Sequence, residues 1–323
     1  MMEETAARPA AAAETVLAVG SVAFDSIRTP RGSADRVLGG SATYFSLAAS
    51  HFAPVRIVGV VGDDFTPEHE TVFEGRQICT RGLERAPGKC FFWAGEYETN
   101  LNNRRTLATE LNVFASFQPK LPADYRESRV LFLGNIDPAL QCQVRDECRA
   151  ARLVGGDTMN FWIANKPEEV KQFLARLDLL AINDGEAQQL TGEHNLHAAA
   201  RRILTLGPRA VVIKRGEHGA TLYARDGGGI QYFAIGAYPL EDVCDPTGAG
   251  DSFAGGVMGF LAGRGGRLDG DWQDVLRQAV VYGSVMGSFA CEAFGIERLR
   301  SLSSEEVRRR YQEFVRLAHF ATL

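Results

Sequence analysis

The chain has 323 residues, of which 45% are hydrophobic and 23% charged, a composition typical of a globular protein and not of a disordered one. Its 35 Lys and Arg against 40 Asp and Glu give a formal net charge of -5, without the basic excess that neutralises phosphates in most nucleic-acid-binding proteins. Every strongly apolar run ends well before the roughly 20 residues that a membrane-spanning helix needs, so neither a nucleic-acid partner nor a membrane span is predicted.

The first fourteen residues are rich in alanine and lack the basic start and apolar centre of a secretory signal, so residues 1–14 are predicted to form a disordered tail. The six cysteines form no C-x-x-C pair and no zinc-type cluster with the six histidines. That pattern suits a reducing compartment better than a disulfide framework, and it predicts a cytoplasmic protein.

From residue 15 onward, short apolar runs alternate with stretches of helical periodicity. The predicted strands are, in chain order, 16–19, 55–61, 130–133, 153–157, 179–182 and 210–214. The predicted helices are 41–51, 139–150, 167–177, 186–191, 196–206, 250–262, 272–290 and 304–318. Several strands carry β-branched residues on both faces, as strands covered by helices on both sides do. The alternation predicts an α/β fold with three α/β/α layers, as one domain over residues 15–323.

Two segments, residues 22–38 and 89–107, do not follow this alternation. The first is polar and rich in turn residues, and the second is aromatic and alternating, so both are predicted to project from the main sheet as a small β lid. The lid's aromatic side chains could cover a ligand, form the lid's own core or make a homodimer contact; they are Phe91, Phe92, Trp93 and Tyr97. Arg104 and Arg105 either bind a phosphorylated substrate or face solvent.

The most informative stretch is VCDPTGAGDSFAGG, residues 243–256. Three small residues, Gly248, Ala249 and Gly250, precede Asp251, where an apolar helical pattern begins. Such a junction leaves backbone N–H groups free at a helix N-terminus, where the dipole favours a phosphate and the ionised form of Asp251. The stretch matches neither a Walker loop nor a dinucleotide fingerprint. The absence of the fingerprint argues against a dehydrogenase. From these residues alone, a structural turn capped by Asp251 stays an alternative.

The motif Asp245-Pro-Thr-Gly-Ala-Gly-Asp251, followed by Ser-Phe-Ala-Gly-Gly, resembles the C-terminal signature of the ribokinase-like (PfkB) carbohydrate and nucleoside kinases. Further matches occur in the family's order: Asp25 after the first strand, Gly39-Gly40 before the first helix, Asn183-Asp-Gly-Glu186, and the turn Lys214-Arg-Gly216-Glu-His-Gly219. The resemblance extends from residue 15 to about residue 295, which is nearly the whole chain.

The resemblance implies an ATP-dependent kinase that transfers the γ-phosphoryl group to a hydroxyl of a sugar or sugar-like molecule, with magnesium on the nucleotide phosphates. It implies that Asp251 is the general base and that the amides of residues 248–250 form an anion hole. The nucleotide-binding residues that it implies are Asn183, Glu186, Lys214, Gly216 and Gly219, with Glu186 and Asn183 holding magnesium. It also allows a monovalent cation near Asp245 and Thr247. The side chains of Glu186 and Lys214 could equally face solvent.

On the acceptor side, the resemblance implies that Asp25, Gly39 and Gly40 bind the substrate. Asn135 follows a strand at the carboxyl edge of the sheet, where ligands of open α/β sheets bind, and it is predicted to join them. Asp157 also ends a strand, and the segment that it begins, DTMN, resembles a D-x-x-N segment of many of these kinases.

The acceptor itself stays open, because one position departs from the family's pattern. Many sugar kinases of the family carry Asn four residues beyond the second glycine, where this chain has Tyr44. The expected partner is a small polyhydroxy molecule, and two alternatives stand beside a sugar: a nucleoside of the adenosine type and a polyol of the myo-inositol type. A non-catalytic nucleotide sensor is a remote alternative, since such a protein would be expected to lack Asp251 or the anion turn.

Overall fold

The computed structural model describes residues 12–268 and 272–319. Most of the predicted tail, residues 1–11, lies outside the described residues, and residues 12–14 have no regular secondary structure. The strands are β1 (Val16–Val19), β2 (Ala23–Thr29), β3 (Gly32–Gly39), β4 (Val55–Val61), β5 (Ile78–Arg85), β6 (Phe91–Tyr97), β7 (Arg104–Glu110), β8 (Val130–Leu133), β9 (Leu153–Gly156), β10 (Leu179–Asn183), β11 (Ala210–Lys214), β12 (Ala220–Asp226) and β13 (Gly229–Ile235).

The helices agree with the predicted ones to within a few residues and include three short ones that were not predicted, α2, α4 and α10. They are α1 (Ser41–Ala49), α2 (Pro67–Glu70), α3 (Pro138–Glu147), α4 (Asn160–Asn165), α5 (Pro167–Leu174), α6 (Asp184–Thr191), α7 (Leu196–Thr205), α8 (Ala249–Gly263), α9 (Trp272–Ala290), α10 (Glu297–Ser301) and α11 (Ser304–Ala318). Within the described ranges, none of the helices combines the length and the apolar character that a membrane crossing requires.

The main sheet has the strand order β13-β12-β11-β10-β9-β8-β1-β4-β5. Neighbouring strands from β11 to β5 run parallel, and β12 pairs antiparallel with both β11 and β13. All of the predicted strands lie in the parallel part. The sequence analysis did not predict β5, β12 and β13; two of these, β5 and β13, are edge strands in which most residues are half-buried or exposed, so they lack an uninterrupted apolar run.

Alternate residues of the main sheet pack against different helical layers, as β1 illustrates. Val16 and Ala18 are buried in the cluster that contains the apolar residues of α1, α8 and α9. Leu17 and Val19 are buried in the cluster that contains those of α3, α5 and α7. Because side chains alternate across a strand, this pattern requires a helical layer on each face. The predicted three-layer α/β/α fold is confirmed.

A second, smaller sheet has the strand order β3-β2-β6-β7 and is built from the two segments that were predicted to project from the main sheet. In it, β2 pairs antiparallel with β3 and parallel with β6, and β6 pairs antiparallel with β7. The strand β7 continues to Glu110, beyond the predicted boundary at residue 107. We call this element the small sheet.

Three glycines spaced four residues apart in α8, Gly255, Gly259 and Gly263, let this helix lie directly against α1. A Cβ atom at Gly255 would collide with the carbonyl oxygen of Phe45, and one at Gly259 would lie 2.7 Å from the Cα of Ala49. A Cβ atom at Gly263 would lie 2.8 Å from the carbonyl oxygen of Phe52. Residues four apart share one helix face, so the three glycines form a single stripe along the contact with α1.

Replacing Gly255 with alanine should lower the free energy of unfolding by about 1–3 kcal/mol, because the added methyl group meets a backbone oxygen that cannot rotate away. Gly185→Ala in α6 is the matched control, since the atom nearest to its methyl group, Asn183 Oδ1, is 3.5 Å away. Alanine there should leave stability unchanged or raise it through helix propensity. Urea denaturation measures both, and equal stability of Gly255→Ala and the parent would contradict the close packing of α1 and α8.

Candidate active site

Polar side chains gather where the parallel strands of the main sheet end. Asn135 follows β8 and Asp157 follows β9, while Asn183 and Lys214 are the last residues of β10 and β11. Carboxyl ends of parallel strands meet at one edge of the sheet, and in open α/β sheets that edge is where ligands bind. The helices α1 and α8 begin directly after loops at this edge, so their N-terminal dipoles are available there.

The turn before α8 has the free amides that an anion site needs. Gly248 has φ +73°, a left-handed conformation that favours glycine, and it directly precedes the helix. The Ala249 amide donates to the Pro246 carbonyl at 3.2 Å, so one of the three predicted anion-hole amides is already bonded. The amides of Gly248 and Gly250 donate no hydrogen bond within residues 12–268 and 272–319. Two donors therefore stay open for a ligand.

The Asp245 side chain fixes this turn through two hydrogen bonds. Its Oδ1 atom accepts a hydrogen bond from the Thr247 amide at 2.8 Å, and its Oδ2 atom accepts one from the Gly295 amide at 3.0 Å. The side chain is fully buried, and burial raises its pKa while these amides oppose the rise. Asp245 thus ties the turn to the loop that follows α9.

The Lys214 side chain points into the site and not to solvent, which decides between the two orientations left open by the sequence. A Cβ atom at Gly250 would lie 2.9 Å from Lys214 Nζ, so the ammonium group sits beside the open amides of the turn. Burial raises the pKa of both Asp251 and Glu186, and the positive charge of Lys214 opposes that rise at each. The Lys214 side chain and two open amides therefore lie side by side at the turn.

Asp251 lies in the first turn of α8, and burial is the largest cause of the shift in its pKa. Burial raises its pKa to about 6, with Lys214 lowering it and Glu186 raising it. The sequence analysis expected the helix N-terminus to favour the ionised form of Asp251; burial acts in the opposite direction, because it removes hydration from the charged carboxylate. The carboxylate is still ionised at neutral pH. Asp157 is buried beside it, its pKa is raised mainly by burial and then by Asp251, and its Oδ1 has no hydrogen-bond partner among the described residues.

The double glycine makes room for Asp25. Asp25 is 5% exposed, and a Cβ atom on Gly39 would collide with its carboxylate. Gly40 has φ +91°, and a Cβ atom there would lie 2.5 Å from the Ser21 carbonyl oxygen. Burial, followed by the charges of Asp245 and Asp251, raises the pKa of Asp25 to about 8. A carboxyl group with this pKa is mostly protonated at neutral pH.

Tyr44 fills the space between the double glycine and the anion turn. A Cβ atom on Gly248 would collide with the Tyr44 ring, and one on Gly39 would lie 3.4 Å from it. The side chain is 1% exposed, yet its hydroxyl has no hydrogen-bond partner in the described residues. Burial raises its pKa well above the ordinary value, with Asp25 as the next cause. The ring thus occupies volume that a shorter amide would leave to the acceptor.

Asn183 and Glu186 form a reciprocal cap at the start of α6. Asn183 Oδ1 accepts a hydrogen bond from the Glu186 amide at 2.7 Å, and Glu186 Oε2 accepts one from the Asn183 amide at 3.0 Å. Burial removes part of the hydration of the Glu186 carboxylate, and this raises its pKa. The charge of Lys214 opposes that rise most, followed by the Asn183 backbone amide, and the Asn183 side chain also lies beside this carboxylate. The motif therefore caps α6 and holds the Glu186 carboxylate beside the Asn183 side chain.

Asn135 does not offer its amide to the site in this structure. Its Oδ1 atom accepts a hydrogen bond from the Trp162 indole at 2.9 Å, and its Nδ2 atom donates to the Met159 sulfur at 3.0 Å. Both polar ends are bonded within the protein. Each end can still make one further hydrogen bond, so its assignment to the acceptor stays a prediction.

The turn after β11 needs its glycines for packing. A Cβ atom on Gly219 would collide with the Ile235 carbonyl oxygen of β13. A Cβ atom on Gly216 would lie 2.6 Å from Asn102 Oδ1, which belongs to the loop between β6 and β7. Both glycines therefore have a structural reason, and their contact with a nucleotide stays a prediction.

Some aromatic residues of β6 pack within the protein away from the anion turn, and others lie on the face that is close to it. Phe91 stacks on Phe114 with a centroid distance of 5.3 Å, and Phe92 lies 5.7 Å from the Arg36 guanidinium. The Tyr97 hydroxyl, by contrast, lies 3.0 Å from Thr247 Oγ1, directly beside the anion turn. Trp93 is the register partner of Asp25 in β2, so both side chains lie on one face of the small sheet.

No group of three or more His, Cys, Asp or Glu side chains in the described ranges is arranged to hold a metal ion by itself. The site nonetheless has oxygen donors: Asp157 Oδ1, which has no hydrogen-bond partner among the described residues, and the Glu186 carboxylate. Oxygen donors that leave room for water are what magnesium prefers.

Comparison with known proteins agrees with this arrangement. The family model for pfkB family carbohydrate kinases matches residues 13–297. The cytidine kinase of Thermococcus kodakarensis is 28% identical to this chain over 258 residues, which are 77% of this chain and 89% of that protein. The nucleoside kinase of Methanocaldococcus jannaschii has a similar structure, with a TM-score of 0.71, 18% identity, and coverage of 94% of this chain and 99% of that one.

A putative ribokinase II from E. coli, solved in complex with ATP and magnesium, has the same fold, with a TM-score of 0.70, 18% identity, and coverage of 93% and 99% of the two chains. The family match covers most of the chain. The chain belongs to the pfkB family of carbohydrate kinases, phosphotransferases that use a hydroxyl group as acceptor.

Proposed function

We propose that the protein is an ATP- and magnesium-dependent kinase whose acceptor is a nucleoside. The observation that carries the proposal is the position of Trp93 beside Asp25 on the face of the small sheet that reaches the anion turn through Tyr97. A flat ring next to a hydrogen-bonding carboxyl suits an acceptor that has both a base and a sugar. The cytidine kinase relative, which matches 77% of this chain, supports the same class of acceptor.

Asp25 binds an acceptor hydroxyl, and Asp251 takes the proton of the hydroxyl that is phosphorylated. Because burial raises the pKa of Asp25 to about 8, its protonated carboxyl can donate one hydrogen bond and accept another. Gly39 and Gly40 supply the space and the amide that support it. Asn135 joins the acceptor site through the further hydrogen bond that each end of its amide can make.

During transfer, the acceptor oxygen forms a bond to the γ-phosphorus while the bond to the ADP oxygen breaks. The acceptor hydroxyl transfers its proton to the Asp251 carboxylate. Negative charge on the transferred group is stabilised by the open amides of Gly248 and Gly250 and by the Lys214 ammonium. The bonded amide of Ala249 joins them if its contact with Pro246 loosens. Gly216 and Gly219 let the neighbouring turn approach the nucleotide.

Magnesium, when bound, neutralises charge on the nucleotide phosphates. We propose that Glu186 Oε1 and the Asn183 amide group hold it through water molecules, because the remaining Glu186 oxygen is bonded to the Asn183 backbone. A monovalent cation beside Asp245 and Thr247 is a further proposal, supported by the buried carboxylate that underlies the turn.

Two further proposals concern the whole protein. The six cysteines are unpaired, which suits a reducing compartment and supports a cytoplasmic location. The small sheet has unpaired edges at β3 and β7 in this chain, and Leu107 on β7 is 44% exposed, so we propose a lid that also forms a homodimer contact. Analytical ultracentrifugation distinguishes this dimer from a monomer.

A screen of acceptors tests the proposed function directly. ADP release is measured with ATP, magnesium and each of adenosine, cytidine, guanosine, inosine, ribose, fructose, ketodeoxygluconate and myo-inositol. Stacking of a base contributes about 1–3 kcal/mol, so a nucleoside should exceed ribose in kcat/KM by about tenfold or more. Trp93→Ala should reduce this ratio. A higher kcat/KM for ribose or myo-inositol would show that the nucleoside assignment is wrong, and no ADP release with any acceptor would contradict the kinase.

Asp251→Asn should lower kcat by about 10²- to 10⁴-fold with little change in ATP binding, because asparagine keeps the size of the side chain and cannot accept the proton. In the parent, kcat/KM should fall as the pH is lowered through about 6, since the base must be ionised and burial raises its pKa to that value. Stopped-time assays and isothermal titration with ATP measure the two effects. A folded Asp251→Asn variant that keeps more than about a tenth of parent kcat would remove Asp251 as the base.

Glu186→Gln should raise the magnesium concentration for half-maximal rate by several-fold and leave stability unchanged, because glutamine preserves the reciprocal cap but removes the charge. The matched control is Glu306→Gln, which makes the same substitution in the Ser303–Glu306 cap of α11. That variant should keep the parent's magnesium dependence. If Glu186→Gln behaves like the control in a magnesium titration, Glu186 does not hold the ion.

A further inference from the structure

The hairpin of β6 and β7 presents one of its two faces to the active site. Tyr97 and Arg104 are register partners, and the Tyr97 hydroxyl reaches Thr247 at 3.0 Å, so this face looks toward the anion turn. The neighbouring partners, Glu96 and Arg105, form an ion pair at 2.5 Å. Because side chains alternate along a strand, that pair lies on the opposite face. The two adjacent arginines are thus separated in space.

The tip of the same hairpin touches the nucleotide side of the cleft. Asn102 Nδ2 donates a hydrogen bond to Glu217 Oε1 at 3.3 Å, and Asn102 Oδ1 lies against Gly216. The hairpin therefore contacts the anion turn at Tyr97 and the turn after β11 at Asn102. Arg104, two residues after Asn102, stands on a segment that is supported from both sides of the cleft.

The Arg104 guanidinium lies over the site and has no carboxylate partner in the described part of the chain. It is exposed, and its central carbon is 5.3 Å from the centroid of the Trp93 ring. Burial raises the pKa of Asp25, Asp251 and Glu186, and the positive charge of Arg104 opposes the rise at all three. One cation that acts on both the acceptor side and the nucleotide side must lie near the path between them.

We propose that Arg104 is a further catalytic residue, whose guanidinium binds the transferring phosphoryl group from the small sheet, opposite the amides of Gly248 and Gly250. The inference rests on the proposed kinase function. Arg104 exchanges no proton: the phosphorus moves from the ADP oxygen to the acceptor oxygen, and Asp251 receives the acceptor proton. A guanidinium forms two parallel hydrogen bonds to phosphate oxygens, which suits charge spread over the group in the transition state.

Arg104→Gln should lower kcat by about 10²- to 10³-fold while the KM values for acceptor and ATP change by much less, as expected when one donor to a developing charge is removed. Arg105→Gln is the matched control, because it removes the same side chain from the opposite face, and it should keep parent kcat. Added guanidinium ion should restore part of the rate of Arg104→Ala. A structural role for Arg104 would not permit this rescue.

A second measurement does not depend on knowing the acceptor. ADP with magnesium and aluminium fluoride mimics the transferring phosphoryl group and should raise the melting temperature of the parent and of Arg105→Gln above that with ADP alone. Arg104→Gln should lose this extra shift and keep the shift with ADP. If Arg104→Gln keeps it, or keeps more than half of parent kcat, the proposal for Arg104 is wrong. If the parent shows the shift but phosphorylates no nucleoside, the proposed acceptor is wrong. The comparison of melting temperatures between the parent and Arg104→Gln still tests the proposal for Arg104.

Discussion

Backbone atoms of α1 and α8 approach each other directly because no side chain stands between them along the stripe of Gly255, Gly259 and Gly263. Both helices begin at the carboxyl edge of the sheet, so this contact brings two helix N-termini to one place. The loop before α1 supports Asp25, and the first turn of α8 carries Asp251. A larger residue in the stripe would separate the acceptor site from the anion turn. The chemistry of the site thus depends on contacts that lie outside it.

The meeting of these two helix N-termini also brings several acidic side chains close together in a buried site. Burial raises the pKa of Asp25, Asp157 and Asp251, which means that the ionised form of each carboxyl is less favourable in the site than in water. Lys214 and Arg104 offset part of the repulsion. A ligand that brings its own metal ion and hydrogen-bond donors would relieve more of it, so substrate binding and stability are linked in this fold.

Much of the fold and part of the site could be predicted from local patterns, because they depend on neighbours in sequence. The parallel strands have continuous apolar runs, and the anion turn has a motif of small residues before Asp251. The edge strands β5 and β13 lack such runs, although the glycines at 227–229 between two alternating segments are a signal for the β12–β13 hairpin. The inward direction of Lys214 and the contact of Tyr44 with Gly248 depend on residues about 36 and about 200 positions apart, and no local pattern reports such contacts.

The division of the site between two sheets has a consequence for how such an enzyme diversifies. Trp93 and Arg104 belong to the small sheet, whereas the anion turn and the glycine stripe belong to the main domain. Substitutions on the strands β6 and β7 can alter the recognised molecule without disturbing the buried helix contact on which stability depends. Tyr44 is the exception, because its ring is 1% exposed and fills the space between Gly39 and Gly248, next to the anion turn. A change of specificity made at Tyr44 carries a cost in folding that a change at Trp93 avoids, so redesign or natural divergence has an easier route through the small sheet.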